Sequence, residues 1–81
     1  MLTIRFFASL REQLGADEVT LDIDTATVAE IRHTLVRDYP EWADSLDNPH
    51  LLAAVNHAMA RDETEARDGD EVAFFPPVTG G

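Results

Sequence analysis

The 81-residue chain contains no cysteine and no lysine. Without cysteine there is no disulfide framework, no thiolate nucleophile and no zinc knuckle. Without lysine, all six basic residues are arginine: Arg5, Arg11, Arg32, Arg37, Arg61 and Arg67. Sixteen acidic residues face them, for a net charge of −10. Nucleic-acid binding needs a basic footprint, so this balance excludes it. The acidity fits solubility, a salt-adapted or GC-rich source, or steered docking onto a partner with a basic face. No apolar run approaches the ~20 residues of a membrane span. The opening MLTIRFFASLREQLG lacks the long apolar core of a signal peptide, so a cytoplasmic location is expected. A chain this short makes one small domain and buries roughly 60–65 % of its surface, which leaves no room for a deep enzyme cleft. No metal site is expected either. His33, His50 and His57 lack ligand spacing, and Asp68 and Asp70 bracket Gly69 as turn residues without the oxygens of a calcium loop.

What is present is a regular pattern of apolar residues, with a 44 % apolar share typical of a globular domain. Leu2, Ile4 and Phe6 alternate with Thr3, Arg5 and Phe7, which predicts a half-buried strand. Ser9 is a candidate cap for a short turn, Leu10 to Leu14, closed by Gly15. Val19, Leu21 and Ile23 alternate again and predict a second strand, paired with the first as a hairpin. Thr27-Val28-Ala29-Glu30 matches a capping box. Val28, Ile31 and Leu35 follow at helical spacing, with Val36 and Tyr39 flanking, and Pro40 ends the helix. Glu41 to Leu46 reads as a short turn anchored by Trp42. Leu51 to Asn56 reads as a third strand, Asn56-His57 as a turn, and Ala58 to Arg61 as a short fourth strand. Arg67-Asp68-Gly69-Asp70 is a turn signal. In the last strand, Glu71 to Phe75, Val72 and Phe74 share one face while Ala73 and Phe75 share the other.

One helix must bury its stripe against one face of one sheet. A crossover helix after the first hairpin brings the last strand beside the first. The predicted fold class is therefore α+β: a β-grasp (ubiquitin-like) domain over 1–75, with a mixed four- to five-stranded sheet packed on one main helix. A flexible, extended C-terminal tail follows over 76–81.

The last eight residues given, Phe74 to Gly81, read FFPPVTGG. Pro76-Pro77 fixes φ twice and favours an extended exit from the globule. Gly80 and Gly81 carry no Cβ, so a terminal carboxylate there can enter a narrow channel without obstruction. Together with LLAAVN (Leu51 to Asn56), DGDEVAFFPPVTGG (Asp68 to Gly81) and IRFFASLRE (Ile4 to Glu12), this ending resembles the small subunit of molybdopterin synthase, the MoaD type, over essentially the whole chain. These proteins belong with the ThiS type among ubiquitin-like sulfur carriers.

The resemblance implies a definite chemistry. An ATP-using adenylyltransferase of the ubiquitin-activating type adenylates Gly81. A sulfur donor converts the acyl adenylate to a thiocarboxylate, a 1-thioglycine. The large synthase subunit, in a heterotetramer, delivers that sulfur to a cyclic pyranopterin phosphate. The chain binds no cofactor and supplies the reacting atom, while other chains supply the catalytic groups. This accounts for a sulfur carrier without cysteine. Three alternatives are a carrier for thiamin thiazole synthesis, a ubiquitin-like protein modifier and a pure interaction module.

Strand phase adds expected partner contacts. Phe6 and Phe74 take the core phase, which places Phe7 and Phe75 on the opposite face. In adjacent parallel strands both rings then lie exposed where the tail departs, and an exposed aromatic patch beside a reactive tail is a docking surface. Met59 is expected to join it, its flexible thioether suiting more than one partner. Pro76, Pro77, Val78 and Thr79 continue the contact towards Gly80 and Gly81.

Overall fold

Strict alternation makes the first strand, β1 (Leu2–Phe6): Leu2, Ile4 and Phe6 are buried, while Thr3 and Arg5 remain partly exposed. The computed structural model describes residues 1–77. After β1 come α1 (Ala8–Leu14), β2 (Glu18–Leu21), β3 (Thr25–Thr27) and α2 (Val28–Asp38). A 3-10 turn (Pro40–Trp42) leads into α3 (Ala43–Leu46). The chain then makes β4 (Leu52–Val55), β5 (Ala58–Ala60), β6 (Glu65–Arg67) and β7 (Glu71–Phe75).

Five strands form one sheet in the order β2-β1-β7-β4-β5. The central pair, β1 and β7, is parallel, with Ile4 opposite Val72 and Phe6 opposite Phe74. The other neighbours are antiparallel, including β7 with β4, where Phe74 faces Ala53 and Val72 faces Val55. These registers put Leu2, Ile4, Phe6, Val72, Phe74 and Ala53 on one buried face. This is the predicted β-grasp arrangement, with the last strand beside the first.

Helix α2 covers that face. Its capping box is complete: the Glu30 N–H donates to Thr27 Oγ1 at 3.1 Å, and the Thr27 N–H donates to Glu30 Oε1 at 2.8 Å. Val28, Ile31 and Leu35 form its buried stripe. Trp42 seals the end of the core. Its Nε1–H donates to the Leu14 carbonyl at 3.1 Å, its ring meets Phe6 edge-on at 5.4 Å, and Tyr39 stacks on it at 4.2 Å. Full burial of side chains such as Phe6, Phe74 and Ile4 stabilises the fold by about 1.5–3 kcal/mol each.

Three features depart from the sequence-based expectation. Ser9 does not cap α1: the helix starts at Ala8, its N-cap position is Phe7, and no side chain caps it. The turn expected at Leu10 to Leu14 is thus a seven-residue helix, ended as foreseen by Gly15 at φ 71° with its N–H on the Arg11 carbonyl at 3.0 Å. A second ladder joins β3 to β6, with Ala26 opposite Ala66, and neither strand is foreseen from the pattern. Its physical role is to tie the entry of α2 to the later loop. The Val28 and Ala29 N–H groups, orphaned at the helix start, donate to the Thr64 and Asp62 carbonyls at 2.9 and 3.0 Å.

Candidate functional site

The outer face of the sheet, away from α2, carries a shallow groove of about 420 Å³. Phe7, Ala8, Ala54, His57, Met59, Glu71, Ala73, Phe75 and Pro76 line it. Each arrives there for a local reason. The alternation of β7 turns Glu71, Ala73 and Phe75 outward, because Val72 and Phe74 are fully buried. Ala54 and Met59 are register partners in β4 and β5, so Met59 projects from the same face.

Phe7 extends the central ladder by one residue, its N–H donating to the Phe74 carbonyl at 3.1 Å. Ala8 then takes a left-handed φ of 55°. For a residue with a Cβ that conformation costs about 1–2 kcal/mol. It turns the chain off the sheet and leaves the Phe7 ring at the groove rim, 38 % exposed, with the Arg5 guanidinium 5.5 Å from its centroid.

The β4–β5 hairpin closes through Asn56 and His57, at φ 49° and 70°. Two successive positive φ values are the two-residue turn whose twist suits a hairpin, and Asn tolerates the first of them. Asn56 also fastens this turn to β7. Its Nδ2–H donates to Asp70 Oδ1 at 2.9 Å, and its Oδ1 accepts from the Glu71 N–H at 3.0 Å. The other Asp70 oxygen accepts from the Arg67 N–H at 2.8 Å. That bond first, and Asn56 second, hold the Asp70 carboxyl below the ordinary range.

A row of charged side chains leads to the groove, which only its last two members, Glu71 and His57, line. Arg5 lies between Glu18 and Glu71, with nitrogen–oxygen separations of 3.9 and 3.7 Å. His57 Nε2 lies 3.8 Å from the second Glu71 oxygen.

The structure therefore brings together four of the sequence-predicted residues: Phe7, Met59, Phe75 and Pro76. Met59 is 66 % exposed. Phe75 is half-buried rather than freely exposed, because its β4 register partner Leu52 and the groove wall flank it. Pro77 follows at the surface, and Val78, Thr79, Gly80 and Gly81 lie outside the described residues. Ala8, Ala54, His57, Glu71 and Ala73 were not singled out in advance for the groove. The Asn56-His57 turn was readable, but the face it presents depends on β4 lying next to β7.

Among the described residues, no group of three or more His, Asp or Glu side chains is placed to hold a metal ion. None of the helices is long and apolar enough to cross a membrane. A second depression, lined by Ala29, Glu30, His33 and Thr34 of α2, lies on the other side of the sheet from Phe75.

Comparison with known proteins extends the picture. The molybdopterin synthase sulfur carrier subunits of Haemophilus influenzae and Escherichia coli are each 43 % identical to this chain, over all of it and all of their own length. The crystal structure of SAMP1 from Haloferax volcanii matches with a TM-score of 0.82 at 32 % identity, covering 99 % of this chain and 98 % of that one. The model of the ThiS family matches residues 4–81, from the middle of β1 to the last glycine. The chain belongs to the ThiS family.

Proposed function

We propose that the chain is a sulfur carrier for molybdopterin synthesis. The observation that carries this reading is the placement of the apolar groove at the point where β7 passes into Pro76-Pro77. A carrier must dock by one surface while its arm reaches into the partner. Here Phe75 belongs to the groove and Pro76 to both the groove and the arm. The full-length identity to two sulfur carrier subunits supports the same assignment.

The chemistry proceeds at Gly81. Its carboxylate attacks the α-phosphate of ATP on an adenylyltransferase, and pyrophosphate leaves. Sulfide from a sulfur donor then attacks the acyl carbon, the acyl–phosphate bond breaks and AMP leaves, so that a thiocarboxylate remains. Glycine at both last positions keeps side chains out of the approach path. The large synthase subunit, in a heterotetramer, receives the arm and transfers the sulfur to its pyranopterin substrate. The chain donates an atom, and the partners supply the catalytic groups. The setting is the cytoplasm.

A second reading is favoured by one comparison. Small archaeal modifier protein 1 of Haloferax volcanii is 36 % identical over 95 % of this chain. In that reading the same activated carboxyl is passed to amines of other proteins.

Intact mass spectrometry tests the carrier reading. Incubation with the activating enzyme, ATP and a sulfide source adds about 16 Da, the replacement of one oxygen by sulfur at the C-terminus. The thiocarboxylate form then yields molybdopterin when mixed with the large subunit. No mass gain, or transfer only to lysines of other proteins, overturns the reading.

A further inference from the structure

Two acidic residues sit side by side at the start of β7, and they are used differently. Asp70 is fully engaged: both of its oxygens accept hydrogen bonds, from Asn56 and from the Arg67 backbone. Glu71 is not. Its nearest cationic atoms, on Arg5 and His57, stand at 3.7 and 3.8 Å, beyond hydrogen-bond length. Its side chain is nevertheless only 29 % exposed, and it lines the groove. Among the described residues lining the groove it supplies the one carboxylate, in a wall that is apolar apart from Glu71 itself and His57. A carboxylate with open acceptor positions beside an apolar surface gains most from a cation once water is displaced.

We infer that Glu71 is the charge-reading residue of the docking groove, and that it takes an arginine or lysine side chain from the partner protein. This rests on the docking role proposed above and adds the partner's chemistry. Glu71, Ala73 and Phe75 share one face of one strand, so the Glu71 and Phe75 backbone positions stand about 13 Å apart with a small residue between them. The two ends of this stripe differ in kind, which sets the direction in which a partner lies. The occupant is a partner surface that presents a basic side chain at the Glu71 end and an apolar side chain at the Phe75 end. Its apolar group then rests next to the departing arm. A partner offering the two in reverse order leaves Glu71 desolvated against carbon and its own cation unpaired, which selects against it. The net charge of −10 brings basic surfaces in, and Glu71 fixes where one of their charges lands.

The test uses the full chain and the separately purified large subunit of molybdopterin synthase from the same source. Affinity is measured calorimetrically for the native chain, Glu71→Gln, Arg5→Gln and Phe75→Ala, with unfolding midpoints for each. The expected result is a roughly tenfold or greater loss for Glu71→Gln at an unchanged midpoint. Arg5→Gln keeps or raises the affinity, because it removes a competitor for the same carboxylate. If Phe75→Ala weakens binding while Glu71→Gln stays within about twofold, the groove docks the partner but Glu71 does not read its charge. Equal losses in Arg5→Gln and Glu71→Gln also overturn the inference, since the internal pair would then be what matters. If neither Phe75→Ala nor Glu71→Gln weakens binding, or the native chain does not bind, the docking reading of the groove falls with it.

Discussion

Phe74 and Phe75 are neighbours in β7 that look in opposite directions: Phe74 is fully buried against the core, and Phe75 lines the outer groove. The same substitution at the two positions therefore separates folding from docking. Phe74→Ala opens a cavity beneath α2, where the Arg32 guanidinium lies 5.8 Å from the ring centroid. It is expected to cost about 3–5 kcal/mol of stability. Phe75→Ala leaves no core cavity, is expected to cost less than about 1 kcal/mol in folding, and weakens partner binding by about 2 kcal/mol or more. Urea unfolding midpoints beside affinity for the large subunit check both. A sharp fall in the Phe75→Ala midpoint with undiminished affinity would assign that ring to the core instead.

Removal of Gly80 and Gly81 is expected to leave the fold intact and to abolish thiocarboxylate formation. Every buried residue among those described lies at or before Phe74. The midpoint should move by less than about 0.5 kcal/mol, while the mass gain with ATP and sulfide disappears. A large loss of stability would make the last two glycines structural and count against the carrier assignment.

Acid should unfold the domain partly through two carboxylates. Glu30, which accepts the Thr27 backbone N–H, and Asp70, which accepts the Arg67 N–H, both titrate below their ordinary values of 4.5 and 3.8. A lowered folded-state pKa means that the unfolded chain binds the proton more readily. Their contribution is complete above those ordinary values and is lost as pH falls through the lower folded ones. Denaturant midpoints recorded from neutral pH downward should decline there, and Asp70→Asn should flatten part of that decline. An unchanged acid limb in Asp70→Asn would mean that the Arg67 and Asn56 bonds carry no proton linkage.

The acidity should also show in association kinetics. With a net charge of −10, long-range attraction to a basic partner is screened within about 10 Å at 0.1 M salt. Stopped-flow association with the large subunit should slow as salt rises, with dissociation changing less. A rate that is flat with salt would leave the charge as an adaptation of the source rather than a docking device.

Much of this fold was legible in the sequence because its signals are local. Leu2-Ile4-Phe6 and Val72-Phe74 announce a buried face by alternation alone, and the Thr27–Glu30 capping box marks the start of α2 within four residues. The β3–β6 ladder was not legible. Thr25-Ala26-Thr27 and Glu65-Ala66-Arg67 are too short for a period to register, and the paired residues lie about forty residues apart in the chain. Ser9 has the chemistry of a cap, but the left-handed turn at Ala8 starts the helix two residues earlier. The aromatic part of the groove followed from strand phase. Glu71 and His57 did not, because their proximity depends on β4 lying against β7 and on Asn56 tying the hairpin turn to the Glu71 backbone.

The parallel pairing of β1 with β7 has a consequence for synthesis. Thr3 lies opposite Glu71, so the central ladder joins the first strand of the domain to its last. Until β7 leaves the ribosome, β1 has only β2 beside it and β4 has only β5, and each pair ends in an open edge. A chain without Glu71–Phe75 has no ladder to join the β1–β2 pair to the β4–β5 pair. Because the strand that completes the sheet is also the one that leads into the arm, a closed sheet and a positioned arm base depend on the same five residues.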